Sequence, residues 1–196
     1  MLQFRIAFVA TIIGLVLFGA QSALAGPFYV TGSFGVNYDE DEPFAFVKEE
    51  TGLVGSVALG THVQGVEGLR VELEASFRSH DIAVGPFQLE HDTTALMLNA
   101  VYDINGLAIG RVVPYVLLGA GYAGTELTLG GIGPLTLEND GMGWQAGVGF
   151  NYQISESVAA GLGYRFLEAP AVEIFGFELD GGGNHGVMAH VSVALN

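Results

Sequence analysis

From Leu69 to Ser79 the chain alternates without a break. Leu69, Val71, Leu73, Ala75 and Phe77 are apolar, and Arg70, Glu72, Glu74, Ser76 and Arg78 between them are polar. A period of two puts the two sets on opposite faces of a β-strand. Wound as an α-helix at about 100° per residue, the same residues would scatter charge and oil around the circumference and leave no face to bury. Seven further segments carry the same period. Phe28–Asn37 aligns Phe28, Val30, Phe34 and Val36; Leu53–Val63 aligns Leu53, Val57, Leu59 and Val63; Thr93–Asp103 aligns Leu96, Leu98, Ala100 and Tyr102. Farther on, Trp144, Ala146, Val148, Phe150 and Tyr152 oppose Gln145, Gly147, Gly149 and Asn151. Val158 to Phe166 opposes Gly161, Gly163 and Arg165, and Val187 to Leu195 opposes Met188, His190 and Ser192. In Val113–Thr125 both parities are apolar, Val116 and Leu118 on one and Tyr115 and Leu117 on the other, so its facing stays open.

Segments of about nine to eleven residues match strands crossing a bilayer at a tilt and exceed the five or six usual in soluble sheets. The connections alternate in length. Gln64–Gly68, Asp103–Val112 and Ser155–Ser157 are short, whereas Tyr38–Gly52, His80–Asp92, Glu126–Gly141 and Glu168–Gly186 are long. Short turns at one end and long loops at the other describe an up-and-down barrel with both termini in the periplasm. An even strand count closes the sheet and leaves no edge for lipid to satisfy. The pattern therefore predicts an all-β fold, an eight-stranded antiparallel transmembrane β-barrel. Trp144, Tyr152, Tyr164 and Phe166 on its outer face suit membrane interfaces better than a soluble sandwich.

Composition narrows the picture. Met1–Ala25 holds a lone Arg5, a mostly apolar run from Ile6 to Ala20, and a closing Ala-Leu-Ala, the make-up of a cleaved signal peptide. The barrel domain is expected over 26–196. No later window offers the ~20 apolar residues of a spanning helix. The chain has no cysteine, which excludes disulfides, thiolate metal sites and thiol nucleophiles. Past the signal, 21 acidic residues face five basic ones, so nucleic acid is excluded as a partner.

Five stretches, GPFYVTGSFG (Gly26–Gly35), LMLNAVYD (Leu96–Asp103), PYVLLGAGYA (Pro114–Ala123), WQAGVGFNYQIS (Trp144–Ser155) and GYRF (Gly163–Phe166), resemble the small outer-membrane barrels of Gram-negative bacteria, the OmpA-like and opacity-protein-like porin family. The resemblance covers the chain from Gly26 onward. It implies residence in the outer membrane among lipid and lipopolysaccharide, insertion by the barrel-assembly machinery, and no cofactor. One departure stands out: such barrels usually end in an aromatic residue, and this chain ends Ala194-Leu195-Asn196.

In the orientation the family implies, Arg70, Glu72, Glu74, Arg78, Asn99, Gln145 and Arg165 form a polar network in the lumen. Glycines on the fifth to seventh strands leave room for long charged side chains from the third, and Arg165 is expected to reach Glu72 or Glu74. An eight-stranded lumen is narrow enough for side chains to fill, so the default is a plugged barrel. The long connections carry 16 of the 21 acidic residues, and Asp39, Asp41 and Glu42 are weak candidates for a divalent cation. Each long connection also has an apolar centre, marking Phe44, Phe46, Phe87, Ile132, Leu135, Phe175 and Phe177 as loop-tip candidates for contact with an extracellular protein or surface ligand. The last three centres are flanked by alternating residues, Leu127, Leu129, Leu135 and Leu137 in the third, which predicts strands continuing past the membrane into hairpins with apolar tips. His80, His91 and His185 fall near strand tops, where they could meet at a metal. His190-Val191-Ser192 resembles the His-x-Ser pair of lipid A deacylases, but no acid follows it. The functional expectation is a non-enzymatic envelope barrel presenting acidic, apolar-tipped loops. Alternatives are a narrow channel for small solutes and, remotely, a lipid A-modifying enzyme.

Overall fold

The computed structural model describes residues 28–39, 47–49, 51–84, 87–129, 135–170, 172–174, 177–179 and 183–195. Met1–Ala25, read above as an export signal, lie outside them. Eight long strands make a closed antiparallel barrel: β1 (Phe28–Asp39), β2 (Gly52–His62), β3 (Leu69–Val84), β4 (Phe87–Asp103), β5 (Val112–Leu129), β6 (Leu135–Gln153), β7 (Val158–Glu168) and β8 (Gly183–Leu195). Each pairs with the next, and β8 closes on β1 from Phe28↔Leu195 to Asp39↔Asn184. No backbone edge is left in the membrane-crossing part, as lipid requires.

Register fixes the geometry of the lumen. A path from Tyr29 across each ladder in turn passes through Gly60, Glu72, Asn99, Gly119, Gln145, Leu167 and Asn184. It returns to β1 at Asp39, ten residues beyond its start. Such a stagger tilts the strands by about 40° to the barrel axis. Tyr29, Gly60, Glu72, Asn99, Gln145, Leu167 and Asn184 on this path are all buried, so one rung spirals up the inside from the mouth with the short turns toward the mouth with the long connections. The opposite parity carries the lipid-facing set, including Phe34, Leu73, Leu98, Leu118, Val148 and Val187, all exposed.

The facing of β5 is now fixed: Tyr115 and Leu117 are buried, while Leu118 is 63% and Tyr122 54% exposed. Close approach decides it. A side chain at Gly119 would meet the Asn99 amide, and one at Gly121 would meet the backbone of Leu96 and Met97, so that parity must face the crowded lumen.

Strands of up to 19 residues run past the nine to eleven that cross the bilayer, because the hairpins continue beyond it, as the alternation around the apolar centres predicts. The β3–β4 ladder runs to Val84↔Phe87 and the β5–β6 ladder to Leu129↔Leu135. Val47–Glu49 adds a short strand beside Val84. Most of His80–Asp92 and Glu126–Gly141 is therefore sheet, not loop. The wall formed by β3 to β6 stands taller than that of β7, β8 and β1. A separate short hairpin pairs Val172–Ile174 with Phe177–Leu179.

At the other end the turns are tight. Gly68 has φ of 80°, a conformation that favours glycine. A Cβ there would also lie 2.5 Å from the Asp103 carbonyl oxygen, and the Gly68 carbonyl accepts the Asp103 N–H at 2.8 Å. The turn thus holds Asp103 in place.

Replacing Leu118 by Arg is expected to cost about 2–4 kcal/mol, as for a cation on the lipid face at mid-bilayer. Urea titration of the protein refolded in lipid vesicles, following the single Trp144, measures the loss.

Candidate functional site: the lumen ion network

Alternation on β3 puts Arg70, Glu72, Glu74, Ser76 and Arg78 inside, each 8% exposed or less. Two linked clusters follow. The lower one centres on Arg70. Its Nε and Nη2 donate to the two oxygens of Asp103 at 2.8 and 2.9 Å, and Nη1 donates to Glu72 at 2.9 Å and to the Tyr29 hydroxyl at 2.8 Å. Tyr29 donates in turn to Glu72 at 2.6 Å, and the guanidinium carbon lies 5.3 Å from the centre of the Tyr29 ring. Asn151 extends the cluster across the lumen, donating to Asp103 at 3.3 Å and bonding through its Oδ1 to the His190 ring at 2.7 Å.

The upper cluster centres on Glu74, 1% exposed. Arg165, reaching over from β7, donates to one oxygen of Glu74. Gln145 on β6 donates to the other oxygen at 3.1 Å and to Asn99 at 2.7 Å. Ser56 on β2 donates to Glu74 at 3.4 Å. Four strands besides β3 therefore meet at one carboxylate or its neighbour. Arg78 is buried one layer higher and donates to Ser76 at 3.4 Å. Together these groups do much of what buried charges require, since each cation has a carboxylate or hydroxyl in reach, Asp103 and Glu74 have donors on both oxygens, and Glu72 accepts twice on one.

All seven network residues named from the sequence face the lumen. The partner of Arg165 is Glu74. Three residues central to the lower cluster are absent from that set: Tyr29, Asp103 and His190. Alternation on β4 carries Asn99 and Val101 inward and so points to Asp103, which in the sequence reads as the start of a turn. The parity of β1 similarly points to Tyr29.

The glycine wall works differently from expectation. Its space is filled by neighbours: a Cβ at Gly149 or Gly163 would strike the Tyr115 ring or hydroxyl, and one at Gly161 would strike His190. A side chain leans first over the adjacent strand, so Tyr115 and His190 occupy the gap before any charged group from β3 arrives. The three-histidine metal arrangement also fails. His91 is buried on the inside, while His185 is on the outer surface stacked on Tyr38, with ring centres 5.1 Å apart. A side chain inside the barrel and one outside it on the far strand cannot share an ion. His190 bonds to Asn151, and the Ser192 hydroxyl bonds to Thr31 at 2.7 Å, so the His-x-Ser pair does not form a nucleophile with its base.

Of the loop-tip candidates, Phe44, Phe46, Ile132 and Phe175 lie outside the described residues. Phe87, Leu135 and Phe177 begin strands, with side chains outside the description. Asp41 and Glu42 are likewise outside, and Asp39 ends β1.

A closed barrel with a charged, filled interior and an apolar exterior defines an outer-membrane protein. Residues 8–191 match the family model described as outer membrane protein beta-barrel domain, and the chain belongs to that family. A search of curated proteins returned no match. Among solved structures, the fold is similar to Neisserial surface protein A, with a TM-score of 0.64 and 16% identity over 86% of this chain and 97% of that one. It is also similar to a major outer membrane protein from Thermus thermophilus, with a TM-score of 0.59 and 14% identity over 86% of this chain and 100% of that one.

Breaking the upper cluster from one side should be severe. Glu74→Ala or Arg165→Ala is expected to cost roughly 3–5 kcal/mol, because each strands a buried charge. The double change Glu74→Leu with Arg165→Met should recover most of that loss. Urea midpoints of the three variants in vesicles give the comparison.

Proposed function

We propose that this protein is a non-enzymatic, non-conducting barrel that contributes to the structure of the outer membrane and holds an acidic surface outside it for contact with an external partner. The observation that supports this reading is the convergence of side chains at Glu74. Arg165, Gln145, Asn99 and Ser56 converge on that level from four other strands. Beneath it, the space between Arg70, Glu72, Tyr115, Arg165 and His190 is only about 20 Å³, room for one water. A stable plug of this kind suits a scaffold and not a pathway.

Charge supports the second half of the reading. Of the five basic residues downstream of Gly26, Arg70, Arg78 and Arg165 are buried in the lumen, and Arg111 lies in a turn at the opposite end from the long connections. Lys48 is the one basic residue in those connections, against 16 acidic ones. The hairpins of β3 to β6 carry six of those acids, Asp81, Glu90, Asp92, Glu126, Glu138 and Asp140, of which Asp92 is buried. Such a surface favours a cationic protein or peptide, whose association would weaken as salt rises. Lipopolysaccharide phosphates would need divalent ions between them and this surface. Lipid outside the barrel and the assembly machinery during insertion are the remaining partners in this reading.

The channel alternative is separated by conductance. In planar bilayers the purified protein is expected to show no steady open level, and Arg165→Ala with Glu74→Ala should show one. A stable ohmic conductance of the unaltered protein would replace the plugged reading by that of a narrow channel.

A further inference from the structure

Below the lower cluster the barrel opens into a cavity of about 310 Å³ at the end with the short turns. Its inner end is formed by Arg70, Asp103 and Asn151 of the network above and by Ser192, which bonds to Thr31, and the cavity faces the periplasm. The volume lies at the lower end of the range of small-molecule sites, room for roughly one or two sugar rings.

The groups at its walls select by chemistry. Arg70 is matched by two carboxylates, Asp103 and Glu72, and has no surplus charge to hold an anion. Asp103 is occupied by the guanidinium and the Asn151 amide, which leaves little for a cation. The lining is mixed, with Val113, Ala159 and Ala194 set among the polar groups. What remains free for a guest is a set of directional hydrogen-bonding groups and one rim carboxylate. The Asn151 amide has a second N–H; the Gln153 carbonyl oxygen is left over, since its Nε2 donates to the Ser155 carbonyl at 2.5 Å; and the Glu156 carboxylate stands exposed at the rim. His62, also exposed, presents an imidazole plane with the Tyr29 ring behind it at 5.6 Å. Amide, carboxylate and a flat ring around one cavity suit vicinal hydroxyls and the C–H face of a pyranose.

We infer that this mouth is a binding pocket for an uncharged saccharide unit, supplied either by a free oligosaccharide of the periplasm or by the glycan of the cell wall. The pocket is separate from the surface invoked above, and the inference holds whether or not the lumen conducts.

The test uses the full barrel in lipid nanodiscs, observed by amide NMR and titrated with the disaccharide of N-acetylglucosamine. Saturable shifts are expected at His62, Gln153 and Glu156, and binding should weaken about tenfold in the Gln153→Ala, Glu156→Gln double variant and in His62→Ala, the equivalent of one or two lost contacts. All three positions are on the rim, and heat-modifiable gel migration checks that each variant still folds. Inorganic phosphate and spermidine are run in parallel. Absence of saturable shifts with the disaccharide, equal affinity in the variants, or shifts with phosphate or spermidine alone would overturn the inference. Cosedimentation with purified cell-wall sacculi, lost in the double variant, would assign the wall glycan as the source; disaccharide binding without cosedimentation would assign a free saccharide.

Discussion

The structure depends on matching three guanidinium groups that the strand alternation forces inside a barrel too narrow for bulk water. Arg70, Arg78 and Arg165 cannot turn outward, because a one-residue slip of register would put every charge of β3 into lipid. They must therefore find partners across a closed space, and the tilt of the strands brings those partners to hand. Glu74 and Arg165 are not on the same rung, since Glu74 pairs with Met97 and Ala58 while Arg165 pairs with Gly147 and Gly186. The spiral of the register carries β7 upward relative to β3, so side chains from separate rungs come level at the axis.

The rest of the interior is arranged around that demand. Glycines at 149, 161 and 163 let Tyr115 and His190 lie flat against the wall, and His190 then meets Asn151, which supports Asp103 and through it Arg70. Gly68 lets the β2–β3 turn close on the Asp103 backbone. A turn at the barrel's foot and a histidine halfway up its inside thus serve one carboxylate. The two clusters also divide the lumen, with side chains converging at the level of Glu74 and a cavity beneath Arg70.

Much of this is legible in the sequence for a simple reason: a barrel wall has two faces and alternation reports both. The strand count, the inward set of β3 and the outward aromatics of β6 and β7 all follow from period two. Where both parities are apolar, as at Tyr115–Leu118, alternation is silent and only the crowding at Gly119 and Gly121 decides. The strand extensions are legible as well, because Leu127, Leu129, Leu135 and Leu137 continue the alternation into the third long connection. Asp103 escapes a linear reading because a carboxylate at a strand terminus looks like turn punctuation until its partner is known. Which neighbour fills a glycine gap depends on three-dimensional reach and leaves no trace in a linear pattern.

Because the natural chain has no cysteine, single thiols report directly on whether the network closes the lumen. The most direct measurement places one cysteine at Ser192, below the closure, and in a second protein one at Ser56, beside Glu74. A charged, membrane-impermeant maleimide is then applied from each side of oriented vesicles. Labelling at Ser192 from the periplasmic side alone, with Ser56 protected from both sides, is the result expected of a closed lumen. Labelling of either position from the outer side would contradict it.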